Sequence, residues 1–203
     1  IFEALEKPGG MLRVGIPDYR LDKEVLNREI QIIRDMGVEI HCNTPIGKDL
    51  TLNDLRKKGF KAFFLAIGAH KDIKLGIPGE ELPGIISGIG FLRELNLGQK
   101  TNIGKKVLVV GGGNVAMDAA RSAIRLGSEV TVVYRRTENE MPANIWEIQH
   151  AKEEGVKFEF LTSPLEALSE AGTLKGLKCI KNKLGKPDKI GRRRPEPIPG
   201  SEY

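Results

Sequence analysis

The 203-residue sequence predicts an α/β protein in which helices cover a parallel sheet. Segments with the pattern of strands alternate with segments of helical spacing along the chain, an order typical of parallel sheets. The apolar run over residues 107–110 has no polar face, which is typical of a strand buried on both sides. A glycine-rich turn follows that run directly, and the pattern after the turn predicts a helix.

The first half of the chain contains one well-marked helix. Residues 21–36 carry apolar side chains at helical spacing, and Gly37 lies where a helix C-cap is expected. Residues 38–42 then have the pattern of a short strand. The continuous apolar run over residues 62–66 predicts another strand, covered on both faces.

A polar stretch flanked by glycines, residues 97–104, separates the two halves of the chain. We therefore expect one domain over residues 1–97 and a second over residues 98–203. The second domain is predicted to alternate strands over residues 107–110, 130–134 and 156–161 with helices over residues 114–126 and 142–154. Residues 174–184 are expected to form part of a hairpin, and residues 185–203 are expected to be loop-rich.

The composition excludes several classes of protein. The chain is 40% hydrophobic and 29% charged, and it lacks the run of about 20 apolar residues that spans a bilayer. Its two cysteines, Cys42 and Cys179, are too few for a four-cysteine zinc or iron–sulfur site. Because the first residues also lack the pattern of a signal peptide, we expect a reducing, cytoplasmic location and no membrane partner.

The net charge of +5 raises the question of nucleic-acid binding. The basic residues are spread along the chain, however, and the one dense run is residues 192–194, all arginine. A solvated turn is the favoured interpretation of that run, with contact to a phosphate backbone as the alternative. Aromatic residues make up 5% of the chain and none lies among these arginines, so we expect no nucleic-acid partner.

The strongest local signal is a glycine-rich turn that fits the pattern G-x-G-x-x-A between a strand and a helix, the context of a dinucleotide-binding turn. Its first glycine allows a tight turn, and its third lets a pyrophosphate approach the backbone. The small sixth residue lets the helix lie close to the sheet, and the amides at the helix start face the phosphates. The alternative is a glycine turn in a protein that binds no dinucleotide. The residues expected to contact the cofactor are Gly111, Gly112, Gly113, Asn114, Val115 and Ala116.

The residues after the second predicted strand indicate which dinucleotide is bound. An NAD-binding unit usually has Asp or Glu here, to hold the ribose hydroxyls. This chain has Arg135 and Arg136 instead, and two guanidinium groups would bind the 2′-phosphate of NADP(H) with charge-assisted hydrogen bonds. We therefore predict NADP(H) rather than NAD(H), with two arginines on a solvated rim as the alternative.

The chain resembles the small (beta) subunit of NADPH-dependent glutamate synthase and related FAD/NADPH oxidoreductases. Essentially the whole sequence takes part in the resemblance. The motifs that carry it are GGGNVAMDAAR at 111–121, VYRR at 133–136, EMPA at 140–143, PGGML at 8–12, GIPDYR at 15–20, LAIGAH at 65–70, IPGE at 77–80 and PIPGSE at 197–202.

The resemblance implies an FAD site in the first half of the chain. Glu3 would accept hydrogen bonds from the ribose hydroxyls of the adenosine of FAD, with a surface carboxylate as the alternative. Other residues would contact FAD by side chain or backbone: Gly10, Met11, Arg20, Ile46 and Gly68. For Arg20 and Ile46, a charge at a helix start and core packing remain open as alternatives.

The chain departs from the family pattern at both ends. Relatives carry a glycine-rich flavin loop before the position of Glu3 and continue beyond the position of Tyr203, so this chain is expected to be an interior fragment. The resemblance then implies a Rossmann-like NADP-binding domain plus an incomplete FAD-binding domain of the glutathione-reductase-like, two-dinucleotide type. Lacking its flavin pyrophosphate loop, the fragment alone is expected to bind FAD poorly.

The function implied by the resemblance is hydride transfer from NADPH to FAD, followed by passage of electrons to a partner. That partner would be a large glutamate synthase-type subunit or another electron-accepting subunit. The alternative is a non-catalytic NADP-binding module. Because the cofactors carry such chemistry, we expect no catalytic side chain. The histidines lie far apart in the sequence, so we also expect no metal site. Exposed sheet edges in the incomplete domain could also favour a homodimer.

Overall fold

The computed structural model describes residues 1–188 and 191–203, which form two compact units. The first unit comprises Ile1–Lys71 and Asn96–Gly98, and the second comprises Asp72–Leu95 and Gln99–Tyr203. The segment from Asp72 to Leu95 thus groups with the second unit by its internal contacts. The predicted division into cofactor domains at residues 97 and 98 stays a prediction.

The first unit contains three helices, α1 (Gly10–Val14), α2 (Lys23–Asp35) and α3 (Leu52–Lys57). Helix α2 lies within the predicted range, and the Asp22 side chain caps it by accepting a hydrogen bond from the Glu24 amide at 2.8 Å. The predicted strand over residues 38–42 is reduced to a single parallel bridge between Phe2 and His41.

The strand predicted over residues 62–66 is wrong. Within the described part of the chain these residues pair with no strand. The Phe64 side chain is 94% exposed and the Leu65 side chain 67%. An apolar run forms a strand only where its backbone finds a ladder partner, and periodicity alone does not show whether one exists.

The second unit contains the predicted parallel sheet. Strands β1 (Lys106–Val110), β2 (Glu129–Val133) and β3 (Lys157–Glu159) lie side by side in that order and are parallel. Helix α4 (Gly88–Asn96) precedes the sheet, α5 (Asn114–Arg125) joins β1 to β2, and α6 (Ile145–Glu153) joins β2 to β3. The predicted α/β class with a parallel sheet is confirmed.

Helix α6 begins three residues later than the sequence predicted. The Asn144 side chain accepts a hydrogen bond from the Trp146 amide at 3.0 Å and so caps the helix at its first residue, Ile145. Pro142 therefore lies in the turn before the helix rather than in its first turn.

Small side chains let α5 lie against the sheet. Ala120 is fully buried and Ala123 is 2% exposed, in one core with Met117 of the same helix and Val132 of β2. The predicted close approach of this helix to the sheet is confirmed, and it brings the start of α5 next to the carboxyl ends of β1 and β2.

A second, antiparallel sheet of strands β4 (Thr162–Glu170), β5 (Thr173–Pro187) and β6 (Arg193–Glu202) follows. The prediction of a loop-rich tail was wrong over residues 193–202, which form β6, a strand that contains three prolines. Residues 189–190 of that tail lie outside the described residues. Pro197 lies opposite Asn182 in the ladder. The backbone amide of Asn182 points away from β6 and donates to the Leu161 carbonyl. The nitrogens of Pro195 and Pro197, at alternate positions, therefore face away from β5, which an edge strand tolerates.

No helix in the described ranges combines the length and the apolar content that crossing a bilayer requires.

Candidate dinucleotide-binding site

The glycine turn follows β1 directly and fits closely against the end of β2. Gly111 has a φ of +141°, which favours glycine, and its amide donates to the Val133 carbonyl at 3.1 Å. A Cβ atom on Gly112 would lie 2.5 Å from the Tyr134 ring. The first two glycines therefore serve the path of the chain and its packing.

The third glycine, Gly113, faces open space. It is the N-cap of α5 in an extended conformation, and Pro142, at 4.0 Å, is the one described residue that a Cβ atom there would meet. Among the described residues no side chain caps the helix, so the amides of its first turn are available to an anion. The dipole of this 12-residue helix adds to the attraction for a phosphate.

The other predicted residues of the turn lie at the start of α5. The Asn114 side-chain oxygen accepts a hydrogen bond from the Asn144 amide at 2.9 Å, which ties the start of α5 to the start of α6. Val115 is 40% exposed. Ala116 lies close to Gly111, since a Cβ atom on that glycine would be 3.4 Å from the Ala116 Cβ. The structure thus brings the six predicted residues together at one point.

A cavity of about 420 Å³ lies at the carboxyl ends of β1 and β2, within the second unit. Gly111 and Gly112 form part of its wall, and Arg135 and Arg136 border it as well. In open parallel sheets, ligands bind in the crevice outside the carboxyl ends of the strands, which is where this cavity lies.

The two predicted arginines differ in their surroundings. Arg135 is exposed, and its backbone carbonyl accepts a hydrogen bond from the Asn182 side chain at 3.1 Å. Arg136 is 5% exposed, and its Nε donates to the Arg193 carbonyl at 2.6 Å. One Arg136 Nη lies 3.7 Å from a carboxylate oxygen of Asp188.

Three parts of the cavity wall were missed by the sequence analysis. Leu75 and Ile77 come from a turn that the Glu80 carboxylate holds, accepting from the Leu75 and Gly76 amides at 2.7 and 2.8 Å. These two backbone hydrogen bonds hold the pKa of Glu80 below its ordinary value.

Arg192 also borders the cavity, although the sequence favoured a solvated turn for its run of three arginines. The start of β4 contributes a third stretch of wall, residues 162–164. The run of three arginines was the one sequence signal for a cationic site here. Which of the three borders the cavity depends on how β6 folds back along β5.

The residues predicted to contact FAD lie in the first unit. Phe2 forms a parallel bridge with His41, so Glu3, the next residue, lies where a strand would end. One carboxylate oxygen of Glu3 accepts a hydrogen bond from the Leu5 amide at 2.9 Å. Gly10 and Met11 begin α1, and Arg20 is half-buried. Ile46 is 41% exposed, and Gly68 has a φ of +66°.

The parallel strands, the glycine turn at a helix start and the cavity beside it define an α/β protein of the dinucleotide-binding class. A family model described as pyridine nucleotide-disulphide oxidoreductase matches residues 21–189. The chain belongs to this family.

Several curated relatives match the whole of this chain. The beta subunit of NADP(+)-dependent formate dehydrogenase from Moorella thermoacetica is 49% identical, and the match covers 29% of that protein. The small chain of NADPH glutamate synthase from Halomonas elongata is 39% identical, and the match covers 45% of that protein. The resemblance to the glutamate synthase small subunit is thereby confirmed, and the chain spans less than half the length of these relatives.

A solved structure has the same fold. Mycobacterium tuberculosis FprA in complex with NADPH superimposes with a TM-score of 0.81 at 21% identity, over all of this chain and 60% of that one. The two-dinucleotide-binding fold class predicted from the sequence is confirmed.

Proposed function

We propose that this chain is the NADPH-binding part of a flavin-dependent oxidoreductase. The observation that carries the proposal is a single cavity bordered by both the glycine turn and Arg135, at the carboxyl ends of two parallel strands. The open space at Gly113 fits a pyrophosphate, and the cationic end of the cavity fits a 2′-phosphate.

The residues of the second unit bind and orient the nucleotide. The amides at the start of α5 hold the pyrophosphate, and Arg135 is placed to bind the 2′-phosphate. Arg136, which borders the same cavity, was expected to bind that phosphate with it. No carboxylate takes the position after β2 where it would repel a phosphate, because Tyr134 and the two arginines occupy it.

The residues of the first unit are proposed to hold part of FAD. The parallel bridge before Glu3 fits the position of a carboxylate that binds the ribose of a dinucleotide. When bound, NADPH supplies a hydride and FAD accepts it. The side chains of this chain orient the nucleotides and supply no acid or base to that exchange.

An electron-accepting partner completes the proposal. The two relatives are named as subunits of enzymes with different reactions, formate dehydrogenase and glutamate synthase, yet both share this whole segment. The shared segment therefore supports a common task, the handling of NADPH, while the partner sets the final acceptor. We propose a large glutamate synthase-type subunit or another electron-accepting subunit as that partner.

The test uses the full-length protein that contains this chain. Calorimetric titration is expected to give tighter binding of NADPH than of NADH by on the order of 100-fold. Anaerobic mixing with NADPH is expected to bleach the visible absorbance of bound flavin. Equal affinity for the two nucleotides would overturn the choice of cofactor, and NADPH binding without bleaching would favour a binding module without catalysis.

A further inference from the structure

Arg136 is committed to contacts within the protein. Its guanidinium is buried, with Nε donating to the Arg193 carbonyl at 2.6 Å and one Nη 3.7 Å from the Asp188 carboxylate. Both partners belong to the segment that joins β5 to β6 and starts β6. This arginine therefore holds Asp188 and Arg193 against the end of β2.

Arg192 is in the opposite situation. It borders the same cavity as Arg135, and among the described residues its Nε is buried and has no hydrogen-bond partner. A buried guanidinium N–H without a partner is costly, so such a group is expected to find its acceptor in a ligand. Phosphate oxygens are, with carboxylate oxygens, the acceptors that a guanidinium binds most strongly.

The backbone around Arg192 is fixed by Asp188. The Arg192 amide donates to the Asp188 carboxylate at 2.9 Å, and the Arg192 carbonyl accepts from the Asp188 amide at 2.7 Å. Because Arg136 lies beside the same carboxylate, the negative charge of Asp188 is balanced within the protein. These two hydrogen bonds thus hold the backbone that presents the Arg192 side chain.

The backbone of Arg135 is also held by a side chain of β5. The buried Asn182 of β5 donates to the Arg135 carbonyl at 3.1 Å and to the Ser163 hydroxyl at 2.9 Å. Two arginines distant in sequence therefore reach one cavity through the folding of β5 and β6 against the end of β2.

We infer that Arg192 and Arg135 together bind the 2′-phosphate of the dinucleotide, and that Arg136 is a positioning residue that acts through Arg192. The inference rests on the proposed function and refines it, because it replaces the adjacent pair of arginines with one arginine from each of two segments.

The test measures two ligands that differ only in the phosphate, 2′-phospho-ADP-ribose and ADP-ribose, with the full-length protein. Arg192→Ala is expected to weaken binding of the phosphorylated ligand by roughly 10- to 100-fold and to leave ADP-ribose binding unchanged. The matched control is Arg194→Ala, an exposed arginine two residues further along, which should change neither affinity by more than about twofold.

The unphosphorylated ligand separates the outcomes. An unchanged preference in Arg192→Ala would overturn the inference, and an equal loss for both ligands would place Arg192 at the pyrophosphate and overturn it too. If the unaltered protein bound neither ligand, the proposed function itself would fail. Retained ADP-ribose binding also shows that the variant is folded.

A double-mutant cycle tests the role of Arg136. If Arg136 acts through Arg192, Arg136→Ala reduces the preference for the phosphorylated ligand in the unaltered protein but not in the Arg192→Ala background. Losses that add in the double variant would show that Arg136 binds the phosphate itself and would overturn its assignment as a positioning residue.

Discussion

Gly112 packs so closely against the ring of Tyr134 that a Cβ atom at Gly112 would lie 2.5 Å from it. Tyr134 is itself held, because its hydroxyl donates to the Glu140 carbonyl at 2.7 Å. The turn is therefore shaped by an aromatic side chain that borders the same cavity, and among the described residues the neighbouring Gly113 has no such contact.

Gly112→Ala is expected to destabilise the protein. The added methyl group must displace a buried ring, and such overpacking typically costs about 1–3 kcal/mol of unfolding free energy. Chemical denaturation of the full-length protein measures the loss. A variant as stable as the unaltered protein would show that Tyr134 moves aside freely.

Gly113→Ala is expected to affect binding instead of stability. Its extended backbone accepts alanine, and the new methyl group meets only Pro142, at 4.0 Å, so the unfolding free energy should stay within about 0.5 kcal/mol. The methyl group occupies the space proposed for the pyrophosphate, and NADPH affinity should fall at least about tenfold. Denaturation and calorimetry on the same sample separate the two effects, and unaltered affinity would contradict the proposed place of the pyrophosphate.

Arg135→Ala is expected to reduce the preference for NADPH. Loss of a charge-assisted hydrogen bond to the 2′-phosphate should cost about 1.5–3 kcal/mol of binding free energy, with NADH affinity unchanged. Titration with both nucleotides measures the change. Arg28→Ala, an exposed arginine on α2, serves as the control for net charge, and an equal effect from both variants would point to long-range attraction only.

Glu80→Ala is expected to loosen one wall of the cavity. Without the carboxylate, the Leu75 and Gly76 amides lose their acceptors, so hydrogen exchange of these amides should become faster. NADPH binding should weaken modestly. Glu81→Ala is the matched control, since Glu81 is the exposed neighbour. Equal hydrogen exchange of the two amides in both variants would show that the Glu80 carboxylate does not hold the turn.

Glu154 is expected to make stability depend on pH. Burial opposes its ionisation, but hydrogen bonds from Arg125 and Arg121 outweigh that cost and hold its pKa below the ordinary 4.5. A carboxyl group with a lowered pKa in the folded state stabilises the protein above its ordinary pKa, and this contribution is lost as pH falls through the folded-state value. Unfolding free energy should therefore decline in acid.

Glu154→Gln should flatten that decline and cost about 1–3 kcal/mol at neutral pH, because the buried Arg121 loses a charged partner and keeps Glu147. Urea denaturation across the acid range measures both effects. Glu153→Gln, at the exposed end of α6, is the control, and an identical acid profile in the two variants would contradict this role for Glu154.

The sequence predicted the parallel sheet and the glycine turn well, because both depend on local signals. The four apolar residues before Gly111 predict a strand, and the small side chains after it predict a tight turn into a helix. The same local reasoning gave the position of Arg135, since it directly follows a strand end and Tyr134.

The features that were missed depend on distant partners. Residues 62–66 have the composition of a strand but no ladder partner in the described ranges. Residues 193–202 have the composition of a loop yet form a strand, because their prolines occupy alternate positions beside β5. The approach of Arg192 to the cavity depends on that strand, so single-sequence patterns could not reveal it.

The prolines of β6 also determine how the antiparallel sheet ends. With their ring nitrogens turned outward, Pro195 and Pro197 leave the outer border of the sheet short of amide donors. A strand from another molecule that approached this border would find too few hydrogen bonds to join it. The prolines that led the sequence analysis to predict a loop thus also make β6 a poor template for intermolecular growth of the sheet.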